Sequence, residues 1–288
     1  MHWTDRRERF RAILAGQACV HPGSVYDAIS ARIAEDLGFE VGMFAGSIAS
    51  MAVLGAPDLI VLTLSEFAAQ AYRINRAGTL PLLVDSDHGY GNALNVKRTV
   101  EELETAGVAA LTIEDTLLPR PYGPSGKPSL ISLEEGVGKM QAALAGRQDK
   151  SLVVAGRTSA LAIEGVEETI RRAQAYAAAG VDAVFLAGAK TRAEVAAVAA
   201  EVKVPLLLGD TTGELSDRDF LAAHNVKICL QGHAPFSAAV FAVHETLKAL
   251  RDGVPPRELK NIASPELMRQ VTRAEDYQRW TREFLGGA

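Results

Sequence analysis

The sequence predicts an α/β protein, a (β/α)8 barrel of the TIM type, on three observations. One phrase recurs along the chain: an amphipathic helical pattern, then Gly or Asn, then a short apolar run. The runs are continuously apolar, as strands of a parallel sheet covered on both faces must be. About eight such units fit into 288 residues, a length at which α/β barrels form one domain.

The elements follow in order. A weak first strand falls around Cys19–His21 and precedes a helical pattern over Val25–Leu37. Gly38 then closes that helix before the second strand, Phe39–Ala45, and Gly78 precedes the third, Leu80–Val84. Gly107 precedes the fourth strand, Val108–Ile113, and the helical Leu133–Ala145 leads to the fifth, Leu152–Ala155. Gly180 introduces the sixth, Val181–Ala187, and the helical Arg192–Val202 leads to the seventh, Val204–Leu208. His224-Asn225 introduces the eighth, Val226–Leu230. Gly, and less readily Asn, accepts the left-handed conformation that ends a helix, so each phrase reads helix, cap, strand. Residues 1–288 are expected to form a single barrel domain with an additional helical segment from about 255 to 288, where Pro265–Val271 and Ala274–Phe284 are helical in pattern. That segment either caps its own barrel or packs on another subunit.

Composition narrows the function. The chain is 48% apolar and 23% charged with a net charge of −5, ordinary for a globular protein and contrary to nucleic-acid or anionic-membrane binding. No apolar stretch approaches the roughly 20 residues of a membrane span, and the charged amino terminus MHWTDRRERF has no signal-peptide core. A cytoplasmic protein is the simplest expectation. The two cysteines, Cys19 and Cys229, form neither a disulfide framework nor a metal pattern. No Gly-x-Gly-x-x-Gly follows a strand and no phosphate-binding GxxxxGK[ST] loop occurs, so a nucleotide cofactor has no support.

Barrel enzymes collect their chemistry at the carboxyl ends of the strands. Those ends read Gly46-Ser47, Asp85-Ser86-Asp87-His88, Glu114-Asp115, Arg157-Thr158-Ser159, Asp210-Thr211-Thr212 and Gly232-His233, whereas the amino ends are mostly Gly, Val, Leu and Pro. Asp85 and Asp87, two apart, share a face if the chain is extended there, and Glu114 ends the next strand. Three converging carboxylates repel unless a cation joins them. An oxygen-only set with few protein ligands suits Mg²⁺, with Mn²⁺ as the alternative. The competing reading, that acids here only cap helices, suits Asp115 and Asn92 better than this trio. Arg157 follows an apolar run and needs an anion, either a substrate carboxylate or, structurally, Glu114 or Asp85. His233 ends the last strand, as a functional group or as a hydrogen-bonded core histidine. Of the other histidines, His88 has the best claim to support the acids.

These residues carry a signature. GSIAS at 46–50, PD at 57–58, DSDHGYGN at 85–92, TIED at 112–115 and GRT at 156–158 resemble the isocitrate lyase/phosphoenolpyruvate mutase superfamily over essentially the whole chain. Within it, LTLSEF at 62–67, DHGYGNALNV at 87–96, AALTIEDTLLP at 109–119, EEGVGK at 134–139 and GHA at 232–234 look most like the bacterial oxaloacetate decarboxylase branch. The resemblance implies a barrel whose C-terminal helices are exchanged between subunits of a homotetramer, a dimer of dimers. It implies Mg²⁺ that chelates an α-keto dicarboxylate, and decarboxylation of oxaloacetate to pyruvate and CO₂ through a metal-stabilised enolpyruvate. By position, Asp85 matches the direct metal ligand, and Asp87 and Glu114 match acids holding metal-bound water. Ser47 matches the carboxylate cradle, Arg157 a second clamp and catalytic group, and His233 the histidine of the decarboxylase branch, catalytic and substrate-binding.

Departures separate the branches. Lyases of the superfamily carry a Lys-Lys-Cys-Gly-His loop, but residues 119–126 read PRPYGPSG, without cysteine. The lyase glutamate after strand six is replaced by Ala187-Gly188-Ala189, and the lysine of the phosphorus-handling members is missing. A phosphonopyruvate hydrolase or a methylisocitrate-type lyase remains the alternative activity, and a non-catalytic keto-acid-binding barrel the alternative class. Asp210–Thr212 has no assigned role.

Overall fold

A computed structural model describes residues 3–123, 128–209 and 213–286. Contacts divide the chain into two compact units, Met1–Gly232 and His233–Ala288.

The first unit opens with α1 (Trp3–Ala15), then alternates strand and helix. β1 (Gly23–Ser24) leads to α2 (Ala28–Asp36), and β2 (Gly42–Phe44) to α3 (Gly46–Ala49) and α4 (Leu64–Ala77). β3 (Leu82–Asp85) leads to α5 (Ala93–Thr105), and β4 (Ala110–Glu114) to α6 (Leu133–Gly146). β5 (Val153–Thr158) is followed by α7 (Ala160–Ile163) and α8 (Val166–Ala179), and β6 (Ala183–Leu186) by α9 (Arg192–Glu201). β7 (Leu206–Leu208), α10 (Arg218–Ala223) and β8 (Val226–Cys229) complete it. All eight strands pair in parallel in the order β1 to β8. A parallel bridge from Val20 to Ile228, with Val20 N–H donating to Lys227 O at 2.8 Å and Cys229 N–H to Val20 O at 3.0 Å, joins the two ends of the sheet. The eight-unit α/β expectation therefore holds.

Local chemistry explains the boundaries. Thr63, Asn92 and Thr191 cap α4, α5 and α9, each reciprocated by a side chain three residues on. Gly38, Gly107, Gly180 and Asn225 adopt positive φ as expected of helix ends. Gly78 does not, lying at φ −160°. It is glycine for another reason: a Cβ there would come within 1.9 Å of Glu35 Oε2, whose carboxylate receives Thr79 N–H. The first strand differs from the single run around Cys19–His21. Val20 bridges β8 while Gly23–Ser24 pairs β2, because Pro22 between them has no N–H to give a ladder.

Strand alternation sorts the side chains. Leu82 and Val84 pack into the core shared with the helices, so Leu83 and Asp85 face the barrel lumen. On β4, Leu111 and Ile113 face the helices in the same way, which leaves Thr112 and Glu114 inward.

At the amino ends of the strands, α1 contributes a row of arginines that the sequence did not announce as a structural feature. Arg6 donates to Asn75 O at 2.6 Å and to Gly78 O, and Arg7 to Val108 O at 3.0 Å and Glu104 O at 2.6 Å. Arg7 also pairs with Asp149 at 2.8 Å, and Arg11 with Asp182 at 2.9 Å. Arg6 and Arg7 thus bond carbonyls at the ends of α4 and α5, where the helix dipole favours a cation.

The second unit consists of α11 (Ala234–Arg251), α12 (Pro265–Thr272) and α13 (Ala274–Leu285). None of the residues of α11 is buried, and Val240, Phe241, Val243 and Leu247 are exposed along it. The patterns at Pro265–Val271 and Ala274–Phe284 are helices, with Tyr277 edge-on to Trp280 at 5.2 Å.

Candidate active site

The carboxyl ends of β3, β4 and β5 build the site. Register sets Asp85 opposite Thr112 and Glu114 opposite Arg157. Thr112 Oγ1 donates to Asp85 Oδ1 at 2.9 Å, and Thr116 Oγ1 to Glu114 Oε2 at 2.9 Å. Arg157 Nη1 bonds Asp85 Oδ2, and its Nε lies 3.5 Å from Glu114 Oε2. The guanidinium also lies over the Phe185 ring of β6, 5.5 Å from the centroid. The structural partners that the sequence offered for Arg157 are thus both present.

Asp87 arrives by a different route from the extended pleat expected of it. It lies in a left-handed conformation, φ 48°, within a tight turn closed by Gly89 N–H donating to Ser86 O at 2.9 Å. Asp87 N–H points to Asp85 Oδ1 at 3.3 Å, and Asp87 O accepts from Glu114 N–H at 2.9 Å. Gly89, Tyr90 and Gly91 also have positive φ. For Asp87 and Tyr90, which carry side chains, each such conformation costs about 1–3 kcal/mol and persists only where surroundings enforce it. The turn is therefore a placed feature, and it brings Asp87 to the acid group beside Asp85, which the end of β3 delivers.

Ser47 lies half-buried in α3, directly after Gly46. A Cβ on Gly46 would come within 2.5 Å of Asp87 Oδ1, so this glycine makes room for the carboxylate. Ser47 and the acid group are neighbours for that reason.

Electrostatics describe a crowded anionic site. Burial first, then the charges of Asp85, Glu114 and Asp58, push the Asp87 carboxyl up to about 8 against the pull of Arg157. Burial also raises Glu114, with Arg157 opposing and Asp85 adding to the rise. Arg157 keeps its proton firmly: burial works against the charge, but Asp85 and Glu114 more than compensate. Asp58 is a fourth acid of this neighbourhood, raised by burial and then by Asp85. The sequence signalled it only as half of the PD pair, with no role. Thr112 and Thr116 were also missed, although Thr112 stands two residues before Glu114 on one strand face.

Asp115, Asn92 and His88 serve other partners. Asp115 caps nothing: fully buried, it receives Tyr176 Oη–H at 2.8 Å and Arg172 Nη1–H at 3.3 Å. Asn92 does cap α5, accepting Leu94 N–H at 2.9 Å. His88 is buried behind the turn, and burial followed by the charge of Lys139 lowers its imidazole to about 4, so it is neutral near pH 7. His233 opens the second unit as the residue before α11. Asp210–Thr212 and residues 124–126 of the 119–126 loop lie outside the described residues. Cys19 and Cys229 are both buried free thiols.

Among the described residues no three His, Cys, Asp or Glu side chains form by themselves a closed ligand set for a metal. The donor chemistry nevertheless fits a hard divalent cation. It is all oxygen, it is desolvated, and once ionised its acids exceed what Arg157 offsets, which suits one direct carboxylate with the other acids acting through water.

Parallel strands closing on a mouth of buried carboxylates around one arginine define a class, the α/β-barrel enzymes whose chemistry sits at the strand carboxyl ends. The chain belongs to the phosphoenolpyruvate phosphomutase family, whose model matches residues 10–251. It is 60% identical to the oxaloacetate decarboxylase of Bradyrhizobium diazoefficiens over 99% of both chains, and 58% identical to that of Rhodopseudomonas palustris over the same shares. Among solved structures it is similar to a phosphonopyruvate hydrolase complexed with oxalate and Mg²⁺, with a TM-score of 0.84 and 31% identity over 97% of this chain and 99% of that one. An oxaloacetate acetylhydrolase bound to the inhibitor 3,3-difluorooxalacetate superposes with a TM-score of 0.85 and 28% identity over 99% and 98% of the two chains. The superfamily resemblance read from residues 46–158 is thereby established.

Proposed function

We propose that the protein is a divalent-metal-dependent carboxy-lyase that converts oxaloacetate into pyruvate and CO₂. The observation that carries this reading is the buried acid group of Asp85, Asp87 and Glu114 around Arg157, in a chain whose full-length relatives are oxaloacetate decarboxylases. The cysteines favour the decarboxylase over a lyase of the cysteine-loop kind, because the chain has only two and both are buried.

Asp85 would hold Mg²⁺, or Mn²⁺, directly, with Asp87 and Glu114 acting through water. When bound, the cation would polarise the C2 carbonyl of the keto acid and offset charge that develops as the C3–C4 bond breaks. The residues do the rest. Thr112 fixes one Asp85 oxygen and Thr116 one Glu114 oxygen, which aims both carboxylates before substrate arrives. Ser47 cradles the C1 carboxylate and Arg157 orients the molecule by its planar fork. His233 is assigned to the C4 end. A strong clamp on the C4 carboxylate would oppose loss of CO₂, so binding must favour the C1–C2 end. The electron pair of the C3–C4 bond passes to the C2–C3 enolate, and C3 then takes a proton to give pyruvate.

A single barrel assembly with exchanged C-terminal helices, in a homotetramer, is supported by the uncovered apolar residues of α11 and by exposed Ile29 and Ile33 of α2 with Leu37 directly after it. Among the described residues no helix is long and apolar enough to cross a membrane, and we place the enzyme in the cytoplasm.

A screen of oxaloacetate, phosphonopyruvate and methylisocitrate with Mg²⁺ tests the reading. Pyruvate and CO₂ from oxaloacetate are expected. Phosphate release from phosphonopyruvate, or cleavage of methylisocitrate, as the faster reaction would replace it with that activity. Metal binding without turnover of any of the three would leave a keto-acid-binding barrel. His233→Ala is expected to impair decarboxylation more than oxalate binding, and equal loss of both would make His233 a general binding residue.

A further inference from the structure

The acid-bearing turn is gripped from behind by two buried side chains that the mechanism does not use. Lys139 of α6, 3% exposed, donates from Nζ to His88 O at 2.9 Å. Thr99 of α5, fully buried, donates from Oγ1 to the next carbonyl, Gly89 O, at 3.0 Å. The two carbonyls belong to the stretch in which Asp87, Gly89, Tyr90 and Gly91 all have positive φ. Such a run keeps its shape only if neighbouring structure holds it.

A lysine is a costly choice for a buried hydrogen-bond donor, since burying its charge disfavours the ammonium form. Burial does lower Lys139 from its ordinary value, while Glu135, Glu114 and Asp115 favour its charge. The ammonium thus lies within electrostatic reach of Glu114 and Asp115 from α6. A threonine or asparagine could have supplied the hydrogen bond alone; a cation also offsets acids crowded at the mouth. The last residue of the EEGVGK stretch at 134–139 thereby has a physical role.

We propose that Lys139 is a positioning residue that fixes the turn presenting Asp87 directly after Asp85 and so sets the affinity of the site for its divalent cation. The proposal rests on the reading of Asp85 as the metal ligand. Lys139 touches neither substrate nor metal; it acts through the His88 carbonyl and the turn.

The test is an electron paramagnetic resonance titration of the full-length protein with Mn²⁺, with melting temperature and oxaloacetate kinetics measured in parallel. Lys139→Met keeps the stem and removes the ammonium. It is expected to raise the Mn²⁺ Kd at least about tenfold, equivalent to about 1.4 kcal/mol. At saturating Mn²⁺ its kcat returns to within about threefold of the wild type, because the substrate-binding groups are intact. Lys139→Arg, which keeps a cationic donor, recovers most of the affinity. A role confined to stability would lower the melting temperature and leave Kd unmoved. An unchanged Kd in folded Lys139→Met, with Asp85→Ala binding no Mn²⁺, overturns the role of Lys139 alone. A wild type whose Mn²⁺ binding is indifferent to Asp85→Ala overturns the metal reading instead. If Lys139→Met does not fold, Lys139→Gln carries the same expectation and the same overturning result.

Discussion

The two ends of the barrel treat charge in opposite ways. At the amino ends of the strands, arginines of α1 are matched by carbonyls and carboxylates. Arg7 alone engages Val108 O, Glu104 O and Asp149, and Asp149 also accepts Thr4 Oγ1–H at 2.8 Å and Ser151 N–H at 2.9 Å. At the carboxyl ends, Asp58, Asp85, Asp87 and Glu114 crowd around Arg157, and Asp87 is pushed up to about 8. The charges of the amino end are largely paired, whereas the acids of the carboxyl end outnumber the one guanidinium among them. An end with paired charges stabilises the fold; an end of crowded, desolvated acids is suited to a cationic ligand.

Substitutions at the two ends should therefore separate activity from stability. The largest effect is expected at Asp85. Asp85→Ala should abolish calorimetric binding of Mg²⁺ and Mn²⁺, together with the rise in melting temperature those ions give the wild type. By mass action that rise corresponds to about 2.7 kcal/mol at a hundredfold excess over Kd. A retained rise would place the metal elsewhere.

Next comes the amino end. Arg7→Met takes one donor each from Glu104 O, Val108 O and Asp149 and should cost about 3 kcal/mol of unfolding free energy in urea titrations. The kcat/KM per folded molecule should stay within about twofold. A variant of full stability but low activity would erase the contrast between the ends.

Gly46→Ala reverses the pattern. The new Cβ meets Asp87 Oδ1, and displacement of the acid should cut kcat/KM about 100-fold with little change in melting temperature. Wild-type kinetics would show that Asp87 need not stay where it is.

The smallest effect concerns pH. Burial alone would raise the Asp149 carboxyl, but hydrogen bonds from Ser151, Arg7 and Thr4 hold it well below its ordinary range. A depressed carboxyl adds stability that is fully present above the unfolded value, near 4, and is lost as pH falls through the folded one. Urea midpoints should fall between pH 5 and pH 3 in the wild type and fall less in Asp149→Asn. Equal slopes would remove Asp149 from the acid sensitivity.

The same contrast explains what the sequence revealed. The mouth was legible because apolar strands ending in Asp85, Glu114 and Arg157 put polar residues where alternation and register deliver them together. The turn was less legible. Asp87 reaches the site by a left-handed backbone rather than by the pleat, and two-residue spacing does not distinguish these routes. Asp58 and Lys139 were hidden because their relevance depends on a loop and a helix that meet the strand ends only in three dimensions. The amino end was not read at all. MHWTDRRERF looks like a charged, solvated tail, yet Arg6 and Arg7 are buried, with partners mostly backbone carbonyls that no side-chain pattern announces. Asp115 shows the converse, a polar residue at a strand end that serves a buried ion pair with Arg172.

The central claim is that the crowded carboxyl end performs metal-dependent decarboxylation. It is tested most directly by following pyruvate from oxaloacetate across a range of Mg²⁺ concentrations, with the reaction of Mg²⁺ alone subtracted. The account predicts saturable, Mg²⁺-dependent pyruvate formation by the wild type and none above background by Asp85→Ala. Pyruvate formation no faster than with Mg²⁺ alone, or equal rates in the two proteins, would contradict it.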